Sequence, residues 1–244
     1  MLEVDRFTTL QARTEFQARY DQVVQIIGAL GLQGLDPSET PAQAYGGAAF
    51  VLQGIDAYVP SDDPFDFEAV VGKPMFNRIA ETVGYWRVHE TQHGREGSLL
   101  HRQGWALPID LAEAGSKVDL SWYIGAEPYT GHAGNTAVET DVGILATSAT
   151  TIAQLKTAKE FVRVKDLAGI VKAHVVAVDT EHAIIEDDSW RKSVSLAIDR
   201  LTKRDIRSPL DRRFFPPKPK YPSWLNQLVK MQFDHPALKN VPRL

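Results

Sequence analysis

The chain has 244 residues, 43% of them hydrophobic and 24% charged, with a net charge of −4 and no cysteine. That length and balance fit a water-soluble globular protein of one large or two small domains, and they exclude disulfides and thiolate metal sites. No run of about 18 apolar residues marks a membrane span, and the opening MLEVDRFTTLQARTEF lacks the basic-then-apolar order of a secretory signal.

Residues 8–30 place Leu10, Phe16, Tyr20, Val23, Val24, Ile27 and Leu30 at mostly helical intervals, with Gly28 and Gly31 near the end. This spacing predicts one amphipathic helix. Between residues 31 and 74, Pro37, Pro41, Pro60, Pro64, Pro74 and the paired Gly46-Gly47 interrupt any long element, so loops and one or two short strands are expected. From 84 to 201 the chain turns to short alternating or β-branched runs: YWRVHETQ, GWALPIDL, KVDLSWYI, FVRVKD, GIVKAHVVAVD, HAIIED and KSVSLAIDRL. Their spacing predicts an antiparallel sandwich or barrel. One helix interrupts the series at TSATTIAQLKTAKEF, with Thr150 or Thr151 as N-cap and Ile152, Leu155, Ala158 and Phe161 on one face.

After Leu201 the composition changes again. Residues 200–244 carry 11 Lys and Arg against 3 Asp and Glu, a net +8, which leaves −12 for the preceding 199 residues. Seven prolines from Pro209 onward and the cluster Arg212, Arg213, Phe214, Phe215, Tyr221 and Trp224 describe an extended basic arm with aromatic anchors. Such an arm docks on an acidic surface of its own domain or of a neighbouring copy.

Trp86 to Gly94 reads WRVHETQHG and contains H-E-x-x-H. On a helix, His89 and His93 would hold one zinc ion, and Glu90 would deprotonate its water. Glu113, 20 residues after His93, is a candidate third ligand at a distance similar to that in thermolysin-like metalloproteases, with His101 a second candidate. The surroundings of Glu113, DLAEAGSKVD, depart from that family's N-E-x-x-S-D. The residues of YWRVHETQH are middling or poor helix formers bracketed by Gly84 and Gly94, and they alternate as a strand. A strand would set the two histidines roughly 13 Å apart, so the expectation is a strand or loop without metal. GAEPYTGHAGN lacks the lysine of a phosphate-binding loop, and the acids around His182 read as a solvated turn.

Residues 169–201 read as two strands joined at Glu186-Asp187-Asp188-Ser189. With Gly169, Asp179-Thr180-Glu181-His182, Asp187-Asp188, Arg191-Lys192 and Ala197-Ile198-Asp199-Arg200, this stretch resembles the C-terminal hairpin of the tail protein U family of contractile-tailed bacteriophages. VDLSWYIGAEP at 118–128 and IAQLKTAKEF at 152–161 extend the resemblance over about residues 105–201, although the turn glycine is absent and Glu127-Pro128 is reversed. The resemblance implies a split-barrel fold and a ring at the baseplate end of the tail, between tube and hub proteins, without catalysis.

The expected architecture is therefore α+β. It has an N-terminal helix and loop-rich region at 1–100, a central antiparallel β split-barrel-like module with one helix at 101–201, and a C-terminal arm at 202–244. The expected function is a structural component of a phage tail or baseplate, located in the virion and made in the host cytoplasm. It would act through copies of itself and through tube and hub proteins, with no cofactor and no membrane, and DNA would pass without specific binding. The alternative is a zinc-dependent metallopeptidase using HETQH.

Overall fold

The structure, a computed structural model, is described for residues 10–33, 41–59, 65–72, 74–76, 78–79, 87–93, 100–105, 116–121, 137–158, 163–203, 236–239 and 241. It is α+β, in two compact units that are each discontinuous in sequence. One unit takes residues 17–54 and 62–151, and the other takes 1–16, 55–61 and 152–244.

The first unit is built on a sheet. Helix α1 (Leu10–Ala29) forms where the helical spacing predicts it, and within this unit it buries Val23, Ile26 and Ile27, with Leu30 buried just past its end. It ends in a Schellman motif: Gly31 has φ +61, its N–H bonds to the Gly28 carbonyl, and the Leu32 N–H reaches back to Ile27. Strand β1 (Gln43–Tyr45) runs into helix α2 (Gly46–Leu52), and β2 (Phe65–Val70) follows. A hairpin of β3 (Arg87–His93) and β4 (Leu100–Trp105) precedes β5 (Ser116–Ser121), and the short strands β6 (Ala137–Glu139) and β7 (Leu145–Thr147) come last. The five-stranded sheet has the order β5-β2-β1-β7-β6, with β3 and β4 paired separately. It is mixed: β1 is antiparallel to β2 and parallel to β7, β2 is parallel to β5, and β6 is antiparallel to β7.

The expected module was antiparallel, whereas the pairs β1–β7 and β2–β5 are parallel. Ala44, Phe67, Ala69, Val118, Leu120 and Ala146 are buried in the sheet. Phe67 and Ala69 on β2 and Val118 and Leu120 on β5 fall on alternate positions, so one face of these strands packs into the core. Gln43 is also buried, and its amide donates to the Thr147 hydroxyl at 2.8 Å, joining β1 to β7 through side chains as well as backbone.

The second unit is helical. Helix α3 (Ala149–Ala158) begins at the end of the sheet-bearing unit, capped by Ser148, whose hydroxyl accepts from the Thr151 N–H, and from Ile152 onward belongs to the helical one. Its buried face is Ala149, Ile152, Ala153 and Thr157, one position off the predicted stripe, which leaves Leu155 exposed. Helices α4 (Val164–Asp179) and α5 (Asp188–Lys203) pack against each other, and the short α6 (Pro236–Lys239) packs on α4.

Here the sequence reading is overturned: the stretch expected to be a β-hairpin is a helical one. Every residue from Leu167 to Ala177 is buried, so α4 shows no polar stripe to betray a period of 3.6. In α5 the buried set is Trp190, Ser193, Val194, Ser195, Ala197 and Leu201, of which 190, 194, 197 and 201 form a helical series. Ser193 and Ser195 are among the buried positions, and the half-buried Leu196 and Ile198 supplied the false alternation. Asp187, taken as a hairpin turn, is the N-cap of α5, and its carboxylate accepts from the Ser189 and Trp190 N–H groups at 2.8 and 3.2 Å.

Three devices fix this unit. Segment 55–59 lies against α4 at Gly169, where a β-carbon would come within 2.7 Å of the Ala57 carbonyl oxygen. Beside it Lys172 is 7% exposed and Asp56 6%, and they form an ion pair at 2.9 Å, with Lys172 also donating to the Tyr58 carbonyl at 2.7 Å. Between the helices, the indole N–H of Trp190 donates to His174 Nδ1 at 3.1 Å. The other ring nitrogen, Nε2, therefore carries the proton and donates to the Ala237 carbonyl at 3.1 Å.

Two tests arise at helix ends of this unit. Helix α4 closes in a Schellman motif with Glu181 at the left-handed position, φ +52, its N–H bonded to the Val178 carbonyl and the His182 N–H to Ala177. A side chain there is strained, so Glu181→Gly raises unfolding free energy by about 0.5–1 kcal/mol in urea denaturation. At the other end of α4, burial alone would raise the Asp166 carboxyl, but the Lys156 charge, hydrogen bonds from Arg163 and Lys156, and the Arg163 charge hold it below the usual carboxylate range. Because the folded value is the lower one, this stabilisation is present above the unfolded value near pH 4 and disappears as pH falls through the folded value. The stability gap between the parent protein and Asp166→Asn accordingly narrows below about pH 4.

Candidate functional site

HETQH lies on β3, as its alternation predicts. The strand pairs antiparallel with β4, with Glu90 level with Gln103, His93 level with Leu100, and a register shift between Arg87 and His89. Positions 89 and 93 of such a strand are about 13 Å apart, whereas a shared zinc ion calls for one helical turn. His101 is on β4, and Glu113 lies outside the described residues. So do Arg212, Arg213, Phe214, Phe215, Tyr221 and Trp224, and so does the GHAGN stretch around His132. Near His182, the Asp187 carboxylate caps α5, and His182 Nδ1 accepts from the Ile184 N–H, capping a 3-10 turn over Ala183–Glu186.

A different constellation sits where β1 meets α2. The chain leaves β1 at Tyr45 and enters α2 through Gly46 and Gly47, with Gly46 in the left-handed region at φ +55. No side chain caps this end of the helix, and its first turn carries no acid. A β-carbon on Gly46 would lie 2.8 Å from Glu68 Oε2. The backbone angle favours glycine there, and any β-carbon would push aside the carboxylate end of the Glu68 side chain. Glu68 is half-buried on β2, flanked by the buried Phe67 and Ala69.

The register gathers other charged positions around it. Asp66 is two residues from Glu68 on β2, hence on the same face of the strand. On β5, parallel to β2, Asp119 is level with Glu68 and Lys117 with Asp66. Adjacent strands are about 4.8 Å apart and alternate residues about 6.6 Å, so three acidic positions occupy one corner of the sheet next to the glycine turn. Among the described side chains no group of three or more His, Asp or Glu is placed to hold a metal ion. The side chains of Asp66 and Asp119 are outside that set.

The sequence reading passed over this corner. Its signals were present: a glycine pair between a short strand and the apolar run AAFVL, then FDFEAV, in which acids alternate with buried apolar residues. Carboxylates at period two on a strand are easily read as the polar face of an ordinary amphipathic strand.

The chain matches no family model, and no curated protein matches it. Among solved structures it is similar to the crystal structure of JHP933 from Helicobacter pylori, with 14% identity over 95% of this chain and 94% of that one and a TM-score of 0.40, a likeness too low to carry over either fold or function.

Proposed function

We propose that this chain is a divalent-cation-dependent transferase that takes a phosphate-bearing group from a nucleoside triphosphate. The observation that carries the reading is the Gly46-Gly47 turn, whose missing β-carbon admits Glu68 beside the acidic positions 66 and 119 of β2 and β5. Glu68 and the acidic positions 66 and 119 are of the residue type whose hard oxygen donors magnesium or manganese would take. A cation held by these residues would supply Lewis-acid stabilisation of the charge on a transferring phosphoryl group. The glycine turn presents backbone without side chains, which lets an elongated polyphosphate come close.

The test incubates the purified protein with manganese or magnesium and nucleoside triphosphates labelled at the α- or the γ-phosphate, with chain and nucleic acid both offered as acceptors. Label transfer that chelation removes is expected, and Glu68→Gln lowers it by roughly 100-fold or more with the fold intact, exceeding the effect of changing an outer-shell partner. No cation binding and no transfer from either position would sink the reading.

The second reading, a tail or baseplate component working through copies of itself and through tube and hub proteins in the virion, draws on the +8 charge of residues 200–244 against the −12 of the rest. The strand hairpin from which it was also drawn is helical. Ring-sized particles in electron micrographs of the native protein would favour it. The zinc peptidase reading requires one tightly bound zinc and hydrolysis lost in Glu90→Ala.

A further inference from the structure

We infer that Gln53 is the positioning residue for the glycine turn, an assignment that rests on the transferase reading for its functional meaning. Helix α2 has seven residues, too few to be stable alone. Ala48 to Leu52 are all buried, which holds the helix against the sheet. Apolar burial is non-directional, however, and leaves sliding and rotation about the axis weakly determined. The end that faces Glu68 has two glycines, the residues with most backbone freedom, and no side-chain cap.

Direction comes from the opposite end. The Gln53 side chain makes three hydrogen bonds there. Its Nε2 donates to the Ala49 carbonyl at 2.7 Å and the Thr147 carbonyl at 2.9 Å, and its Oε1 accepts from the Ala149 N–H at 3.0 Å. One amide thus ties the last turn of α2 to the end of β7 and to the first residue of α3, whose N–H has no partner within its own helix. Strand β7 is in turn paired with β1, which delivers the chain to Gly46. The pairing of Tyr45 with Glu68 fixes where the chain enters the glycine turn, and Gln53, seven residues on, closes the circuit through directional bonds that fix how α2 leaves it.

The experiment uses the full chain and compares Gln53→Met, which keeps the shape and removes the bonds, with Gln53→Glu, which keeps the acceptor for Ala149 and loses both donors. Trp190→Phe, in the other unit, serves as a destabilised control. Hydrogen exchange read by mass spectrometry is expected to quicken over residues 46–52 by about tenfold in Gln53→Met, the equivalent of roughly one hydrogen bond, with β2 and β5 unchanged. Gln53→Glu should fall between the two. In the transfer assay, well below the melting temperature, Gln53→Met raises the KM for the cation–nucleotide complex, whereas a loss of folded molecules alone lowers only the apparent kcat. Exchange that is unchanged at 46–52, or quickened equally across the sheet, would overturn the assignment. If the parent protein transfers nothing, the transferase reading fails and the exchange measurement still decides the role of Gln53.

Discussion

Replacing Asp56 by alanine is expected to lower the unfolding free energy of the helical unit by about 3–5 kcal/mol, because it leaves Lys172 buried with its ionic partner removed. For a chain of this size that is a fall of roughly 10 °C in melting temperature. The origin of the loss is asymmetric. A buried ion pair gains little over a well-packed apolar pair, but a buried single charge retains its full desolvation cost. The double variant Asp56→Leu with Lys172→Met should therefore recover most of what Asp56→Ala loses, as measured by thermal and urea unfolding. If the double variant is as unstable as the single one, the stabilisation comes from the shape of segment 55–59 and not from the charges.

The second large effect is on chemistry. Gly46→Ala places a methyl group 2.8 Å from Glu68 Oε2 and forces an L-residue to φ +55. The backbone alone opposes this by about 1–2 kcal/mol, and the carboxylate end of Glu68, the flexible partner in the close contact, swings away from the turn. Misplacement of about 1 Å at a reacting centre costs on the order of 100-fold. The expected result is a folded protein, with far-ultraviolet circular dichroism unchanged, whose label transfer falls by about that factor. Gly54→Ala is the comparison: it has φ +74 but open space where its β-carbon would go, so it should show the backbone cost without the loss of transfer. Equal activity in Gly46→Ala and the parent would remove the glycine turn from the site.

How far the sequence could be read varied from element to element, for physical reasons. Helix α1 was legible because it lies at the surface and keeps a polar side, so its apolar residues stand out at helical spacing. Strands β3 and β5 were legible from their alternation, and the strand reading of HETQH agrees with the pairing of β3 and β4. Helix α4 was not, because burial on all sides makes VVAV look like the inside of a sheet. Its length was the available clue: 16 residues from Val164 to Asp179 exceed an ordinary strand. The Asp187 cap followed by Trp190 was the other, a helix start mistaken for a hairpin turn. The corner at Gly46 was hidden for a different reason. Its parts are far apart in sequence, at 46, 66–68 and 119, and only the pairing of β2 with both β1 and β5 brings them together.

The same interleaving governs how the chain matures as it is synthesised. Gln43 pairs with Leu145, and Asp56 bonds to Lys172 across 116 positions, so neither unit can be completed from an N-terminal fragment. The sheet-bearing unit can close once Thr151 has left the ribosome, whereas the helical one must wait for Val241, which is buried. At about 5–20 residues per second, segment 55–59 stays without its helical partners for several seconds of synthesis. During that interval Ile55 and Val59 are apolar surface in search of cover, and the nascent polypeptide is most exposed to chaperones and proteases at that stage.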